Sequence, residues 1–315
     1  MKPADVRTIF MGSPAFAVPS LRALAEAGYD LRLVVAQPDR RAGRGSRVRA
    51  PAAKTEAEGR GITVYQPESV KVPEAVAALA AAKPDLIVVA AYGRILPCTV
   101  LDLPPRGTVN VHPSLLPRWR GPSPVAAAIL SGDEETGVSI IELVPKMDAG
   151  PVITSRRSRV LLTETTRTLE ARLAKEGAAL LVEALPGWLA GETVATPQDE
   201  SRVTTCALLT KADGHLEAAM TAAEAGRAVR AYDPWPGAYV TYANERLAIW
   251  RAHAQAATNE LEAGEISLTD GRPAVAFREG LLVLEEVQRS GSKRVSGEAF
   301  VNGEHGRLAT QVVLA

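Results

Sequence analysis

Residues 85–91 read D-L-I-V-V-A-A, with apolar side chains at six consecutive positions. A strand with one face in water alternates polar and apolar residues, whereas a continuous apolar run is typical of a strand buried on both faces. Such strands occur in parallel sheets that helices cover on both sides. The run therefore predicts an α/β fold for the part of the chain around it.

Other segments of the first 190 residues repeat this alternation of strand and helix. Strand patterns occupy residues 6–11, 31–36, 108–111 and 136–143, and helical spacing occupies 19–27, 125–130 and about 166–190. Short strands that alternate with helices indicate a Rossmann-like, doubly wound and mainly parallel sheet. We predict that this domain spans residues 1–190.

The rest of the chain has a different texture. Residues 191–205 are polar and aperiodic, so we predict a linker there. A helix is predicted at 222–231, followed by strand patterns at 238–242, 247–252, 274–277 and 281–287. Short strands separated by glycine and asparagine turns predict a small carboxy-terminal β-barrel, similar to an oligonucleotide-binding fold, over residues 206–315.

Composition excludes several classes of protein. The 36 basic and 36 acidic residues cancel, which argues against a generally basic nucleic-acid binder. No apolar run reaches the roughly 20 residues of a membrane span, and the first residues lack the apolar stretch of a signal peptide. Two distant cysteines indicate a reducing, cytoplasmic location, and the four histidines lack the spacing of a zinc site. We expect no metal, no membrane contact and a monomer.

Asn110 and His112 form the first candidate site, at the end of a predicted strand. Two residues apart on a strand, they project from the same face, and ligands of doubly wound sheets bind beyond the carboxyl ends of strands. An amide donor beside an imidazole can hold a developing oxyanion and move a proton. The alternative is a strand end in which both side chains only satisfy backbone groups.

Asp148 is the second candidate, because it follows the predicted strand at 136–143. A carboxylate at the same rim as His112 would orient the ring, favour its protonated form or relay a proton through water. The alternative is an ordinary turn residue.

Asn110, His112, residues 114–117 and Asp148, in this order and spacing, resemble the formyltransferases that use 10-formyltetrahydrofolate. Further segments are similar to the branch of that family that acts on transfer RNA. These segments are FMGSPAFAVPSL at 10–21, QPDRRAGRG at 37–45, PDLIVVAAYGRILP at 84–97, PQDES at 197–201, DPWPGA at 233–238 and SGEAFVNG at 296–303.

The resemblance covers almost the whole chain and implies an activity. This activity is transfer of a formyl group from 10-formyltetrahydrofolate to the free amino group of initiator methionyl-tRNA, for translation initiation. Asn110, His112 and Asp148 would be the catalytic residues. The folate site would comprise Ser114, Leu115, Leu116 and Pro117, with main-chain groups of Arg94, Ile95, Leu96, Val144 and Met147 holding the pterin.

Residues 39–49 read D-R-R-A-G-R-G-S-R-V-R. A charge run of this kind is commonly a solvated, mobile loop. The resemblance implies instead a basic finger in which Arg40, Arg41 and Arg44 bind transfer RNA through phosphates and bases.

Three other functions are compatible with parts of the pattern. A nicotinamide-dependent oxidoreductase would need G-x-G-x-x-G after the first strand, where this chain has Gly12-Ser13-Pro14-Ala15-Phe16. A formyltransferase for a small amine on a sugar or nucleotide would not need the arginine-rich loop or the second domain. A non-catalytic RNA-binding protein would not need Asn110, His112 and Asp148.

Overall fold

A computed structural model describes residues 2–42, 47–256, 261–304 and 308–315, with the side chains of residues 41, 42 and 47 outside the described part. The chain forms two compact units. The first contains Met1–Pro124, Glu135–Arg159 and Glu170–Ala207, and the second contains Val125–Glu134, Val160–Leu169 and Leu208–Ala315. Because each unit consists of several separate stretches of the chain, the division at residues 190 and 205 stays a prediction.

The first unit is built around a mixed sheet. The strands of this unit are β1 (Arg7–Gly12), β2 (Asp30–Val35), β3 (Arg40–Ala42), β4 (Arg47–Arg49), β5 (Val64–Tyr65), β6 (Leu86–Ala90), β7 (Thr108–His112), β8 (Glu135–Glu142) and β9 (Val152–Arg159), of which β3 and β4 form a separate pair. Its helices are α1 (Ala17–Glu26), α2 (Ala52–Gly59), α3 (Pro73–Ala81) and α4 (Cys98–Leu101), while α5 (Pro124–Ser131) and α6 (Thr166–Ala190) have residues in both units.

The strand order of the main sheet is β5-β2-β1-β6-β7-β8-β9. The first five strands are parallel, and β8 and β9 are antiparallel to their neighbours. Every residue of β6 and β7 is buried, as the apolar run at 85–91 predicts for β6. Strand order reverses between β1 and β6, which is where open α/β sheets bind ligands. The predicted Rossmann-like sheet is confirmed.

The second unit contains a separate antiparallel sheet, curled into a half-barrel. Its strands are β10 (Tyr239–Tyr242), β11 (Glu245–Gln255), β12 (Ile266–Thr269), β13 (Arg272–Ala276), β14 (Leu281–Arg289), β15 (Val295–Ser296) and β16 (Val312–Val313), and its helices are α7 (Ala222–Ala231) and α8 (Gly297–Gly303). Thr221 and Glu224 cap α7 reciprocally, which fixes its start. The predicted small β-domain is confirmed.

Several short or polar elements carry no clear signal in the sequence. Strand β9 reads V-I-T-S-R-R-S-R and lies at the edge of the main sheet, where basic side chains can face water. The β3–β4 pair lies within the arginine-rich segment predicted as a loop. Among the described residues, no helix is both long and apolar enough to span a membrane.

Candidate active site

Strand β7 presents Asn110 and His112 on one face, as predicted from their spacing. Their exposed fractions are 9% and 4%, so both lie largely out of water. In the part of the chain that the structure describes, the Asn110 side chain is not engaged with another protein group. Its amide is therefore free to donate to a ligand.

His112 contacts a carbonyl on one side of its ring and a carboxylate on the other. Its Nε2 lies 3.1 Å from the Trp119 carbonyl oxygen, and its Nδ1 lies 3.7 Å from Asp148 Oδ1. Because a carbonyl only accepts hydrogen bonds, Nε2 must carry the proton of the neutral ring. Nδ1 is then the nitrogen that can gain or lose a proton.

Burial sets the charge of His112. It lowers the pKa of the ring below the ordinary value of 6.5, while the Asp148 carboxylate and the Trp119 carbonyl act in the opposite direction. The neutral imidazole is thus favoured near pH 7. A neutral ring with a bare Nδ1 can accept a proton, and the nearby carboxylate stabilises the cation that results.

Asp148 reaches His112 by an indirect route. Strand β8 is antiparallel to β7 and ends with Glu142 beside Val109, three residues before His112. The loop that follows brings the carboxylate back to the ring, and its Oδ2 accepts a 2.8 Å hydrogen bond from the Gly121 amide. Asp148 itself has φ of +48°, a left-handed conformation that is uncommon for residues other than glycine.

Two glycines allow these loops to pack closely. A Cβ at Gly150 would overlap the Glu142 carbonyl oxygen, and a Cβ at Gly121 would overlap the Cys206 carbonyl oxygen. Gly121 also has φ of +125°, outside the range of ordinary side chains. Both positions require the absence of a side chain for the Asp148 carboxylate to meet the Gly121 amide.

The predicted folate segment after β7 is held by two hydroxyl groups, one of its own and one from β8. Ser114 Oγ donates to the Arg118 carbonyl at 2.6 Å, while Ser139 Oγ donates to the Ser114 carbonyl at 2.8 Å and accepts from the Leu116 amide at 3.2 Å. The Ser114 hydroxyl therefore shapes the turn. Leu115, Leu116 and Pro117 are half-buried, and their contact with folate stays a prediction.

The other predicted folate residues differ in exposure. The side chains of Ile95 and Met147 are 56% and 49% exposed, whereas Leu96 lies in the core of the main sheet. Arg94 is exposed, and its Nε donates to Gln37 Oε1 at 3.2 Å. Val144 is half-buried in the loop after β8. The roles of these residues are not tested by their positions alone.

Comparison with known proteins identifies the family. The family model described as formyl transferase matches residues 6–185, and that of the formyl transferase carboxy-terminal domain matches 208–305. The chain is 43% identical to methionyl-tRNA formyltransferase of Chloroflexus aggregans over 95% of this chain and 98% of that protein. It is 42% identical to the protein of the same name from Methylococcus capsulatus (strain Bath) over 94% and 96%.

The chain belongs to the methionyl-tRNA formyltransferase family. A crystal structure of HypX from Aquifex aeolicus in complex with tetrahydrofolic acid shares the fold, with a TM-score of 0.64 and 20% identity over 95% of this chain and 47% of HypX. The resemblance stated from the sequence is confirmed, as is the prediction of a transferase enzyme. The family also supports a folate co-substrate.

The arginine-rich segment of this formyltransferase contains an antiparallel pair of strands, here called the β3–β4 hairpin. Strands β3 and β4 pair Arg40 with Arg49 and Arg41 with Val48. Arg40 is exposed and, with Gln37, Gly93 and Arg94, lines an open groove of about 410 Å³. The side chain of Arg41 and all of Arg44 lie outside the described residues, so their contact with transfer RNA stays a prediction.

Polar contacts fix the base of this hairpin. Gln66 Nε2 donates to Asp39 Oδ1 at 2.7 Å, and Lys54 Nζ lies 2.8 Å from Asp39 Oδ2. Both contacts hold the pKa of Asp39 below its usual value, and the hydrogen bond from Gln66 has the larger effect. The hairpin therefore leaves the main sheet from an anchored position.

Sequence reasoning missed two residues beside Asp148. Arg120 is buried, and its Nε donates to Gln198 Oε1 at 2.9 Å. Gln198 belongs to the PQDES segment, which is similar to the family but to which the sequence assigns no function. An arginine in W-R-G directly after a candidate catalytic strand is a weak sequence signal, because its burial, and with it the need for a partner, is visible only in the structure.

Proposed function

We propose that this protein transfers the formyl group of 10-formyltetrahydrofolate to the amino group of initiator methionyl-tRNA. In the reaction, a bond forms between the amine nitrogen and the formyl carbon, and the bond from that carbon to N10 of the folate breaks. One proton moves from the amine to N10. The grouping of Asn110, His112 and Asp148 within a formyltransferase is the observation that carries the proposal.

The chain offers a surface suited to a folate. Ile95 and Met147 expose apolar side chains in the loops after β6 and β8. Exposure of apolar groups to water is unfavourable, so a ligand that covers them would lower the free energy. A flat heterocycle needs such apolar cover with a few fixed polar groups, and main-chain groups of these loops can supply them. HypX, which shares the fold, was crystallised with tetrahydrofolic acid.

In this proposal Asn110 stabilises negative charge. As the amine adds to the formyl carbon, the formyl oxygen gains charge and needs a hydrogen-bond donor. The Asn110 amide is buried and uncommitted among the described residues, so it can donate without first breaking another bond. Donors preorganised in this way typically contribute about 10²–10³ in turnover.

His112 and Asp148 move the proton. The neutral His112 ring accepts a proton at Nδ1 as the amine nitrogen becomes positively charged, and Asp148 stabilises the imidazolium from 3.7 Å. The imidazolium can also donate to the formyl oxygen before it returns the proton to N10. No covalent bond to the protein is required.

For the transfer RNA we assign Arg40, Arg41 and Arg44 to phosphate and base contacts at the acceptor end. Arg40 is exposed beside the groove that Arg94 also lines, which supports an approach of polyanion to this part of the first unit. The monomeric state and the cytoplasmic location expected from the sequence stay predictions.

The direct test supplies 10-formyltetrahydrofolate with three acceptors in parallel: charged initiator methionyl-tRNA, glycinamide ribonucleotide and an amino-sugar nucleotide. We expect formyl transfer to the methionyl-tRNA alone. Transfer only to a small amine would retain the catalytic residues but overturn the proposed acceptor. Absence of transfer to all three would overturn the proposed reaction.

A further inference from the structure

Residues 196–206, here called the strap, connect two loops of the first unit that meet at Asp148. At one end, the amides and carbonyls of Thr196 and Val152 exchange two 2.8 Å hydrogen bonds. At the other end, the Arg120 amide donates to the Thr204 carbonyl at 2.9 Å, and the Cys206 amide donates to the Arg120 carbonyl at 2.8 Å. The strap is thus fixed both to the start of β9 and to the loop after β7.

Gln198 lies between these anchor points and uses both ends of its amide. Its Nε2 donates to the carbonyl oxygens of Asp148 and Gly150, each at 2.7 Å. Its Oε1 accepts from Arg120 Nε at 2.9 Å. Two donors and one acceptor on a single planar group are a combination that only an amide side chain provides.

Arg120 determines which way this amide faces. A guanidinium only donates hydrogen bonds, so the amide oxygen must face it and the NH₂ group must face the two carbonyls. Arg120 is itself held, because its side chain is 5% exposed and pairs with Glu200 Oε1 at 2.7 Å. The amide is therefore oriented by a buried cation that is itself paired with a carboxylate.

These contacts act on the turn that carries the Asp148 carboxylate. Gln198 binds the carbonyls of Asp148 and Gly150, the residues on both sides of Ala149. Asp148 is the residue with the left-handed backbone. An unusual backbone conformation persists only where the surroundings hold it. Within the same turn, the carboxylate contacts the Gly121 amide and lies 3.7 Å from His112.

We propose that Gln198, oriented by Arg120, is a positioning residue that holds the Asp148 carboxylate at its working distance from His112. The proposal rests on the catalytic roles given to these two residues above. Gln198 touches neither of their side chains and acts through the backbone of Asp148. The strap is thus part of the catalytic apparatus and does more than join two domains.

The test compares Gln198→Met, which keeps the size of the side chain and loses all three hydrogen bonds, with Gln198→Glu, which keeps only the acceptor for Arg120. We expect both to lower kcat about 10–100-fold, the usual cost of a misplaced catalytic group, with KM for either substrate changed by less than about twofold. Gln288→Met is the matched control, since Gln288 also bridges two protein groups but lies in the second unit. Thermal unfolding identifies any variant that fails to fold, and the other variant then carries the test.

A second readout needs no substrate. The pKa of His112, followed by NMR, should fall in Gln198→Met, because a displaced carboxylate no longer stabilises the imidazolium. In an Asp148→Asn background the same substitution should leave that pKa unchanged. An unchanged kcat and His112 pKa in Gln198→Met, or equal effects in both backgrounds, would overturn the proposal. Failure of the proposed function would instead show as absence of formyl transfer by the wild-type protein.

Discussion

At the scale of single residues, the surroundings of His112 decide which proton the site can move. The Trp119 carbonyl fixes a proton on Nε2, so chemistry is left to Nδ1, which faces Asp148. Burial favours the neutral ring, and the carboxylate limits that effect. The pair is thus suited to accept a proton near neutral pH and to release it again.

This environment predicts a specific pH dependence. Because burial lowers the pKa of His112, the midpoint of its protonation should lie below pH 6.5, and His112 should lose the capacity to accept a proton as the pH falls through that midpoint. Asp148→Asn removes the charge that raises the pKa, so protonation should move to still lower pH. NMR titration of the ring, assigned with His112→Ala, measures both.

The NMR signals of His215 and His253, which lie in the second unit, are the internal control for effects of Asp148→Asn outside the site. A His112 midpoint above 6.5, or one that Asp148→Asn leaves in place, would contradict the description of the pair.

At the scale of elements, the site depends on loops that the strands bring together. The sequence places Asp148 after a strand, but β8 is antiparallel and ends beside Val109. Only a loop that turns back can carry the carboxylate to His112. The catalytic role of Asp148 stays a prediction, and the path of its carboxylate to His112 depends on pairing between β7 and β8 that local sequence does not encode.

Gly150→Ala tests the close packing of this loop. The new Cβ would overlap the Glu142 carbonyl oxygen, so the loop must move and carry Asp148 with it. We expect a loss of about 1–3 kcal/mol in the free energy of unfolding and at least about a tenfold fall in kcat. Gly59→Ala is the matched control, because a Cβ there meets no atom within 4 Å.

Chemical denaturation and steady-state kinetics give the two quantities. Equal behaviour of the two alanine variants would show that the loop tolerates displacement and that its packing does not position Asp148.

The β3–β4 hairpin carries a separate prediction about transfer RNA. Replacement of Arg40, Arg41 and Arg44 by alanine should raise KM for methionyl-tRNA about tenfold or more and leave KM for the folate almost unchanged. The salt dependence of binding should weaken by about one unit of slope for each phosphate contact removed.

The matched control replaces three arginines that already pair with carboxylates and thus removes the same charge from the same unit. These are Arg22, Arg32 and Arg60. An equal loss in both triple variants would mean that overall charge, rather than the hairpin, determines binding.

At the scale of the whole molecule, sequence patterns predict most of the buried framework. The apolar run at 85–91 leads to β6, and helical spacing gives α6 and α7 with the observed bounds. Edge strand β9 was missed because its run of arginines and serines, exposed or half-buried, removes the apolar pattern. Its existence follows from pairing with β8, which is a tertiary property.

The same limit applies to the site. Asn110 and His112 follow from strand alternation, which is local. The Arg120–Gln198 contact joins residues 78 apart in the chain, and no periodicity predicts a hydrogen bond over that separation. A net charge of zero does not indicate where a polyanion would bind, so the proposed location at the hairpin could not be derived from composition.

In the proposed reaction, His112 and Asp148 perform the chemistry and do not bind the transfer RNA. The single-turnover rate of formyl transfer from 10-formyltetrahydrofolate to methionyl-tRNA, measured alongside the Kd for that transfer RNA, separates the two roles. His112→Ala and Asp148→Ala should each lower the rate about 10²–10⁴-fold with Kd changed by less than about twofold, while His253→Ala retains the wild-type rate. Near-normal rates in both active-site variants would contradict the catalytic role of His112 and Asp148.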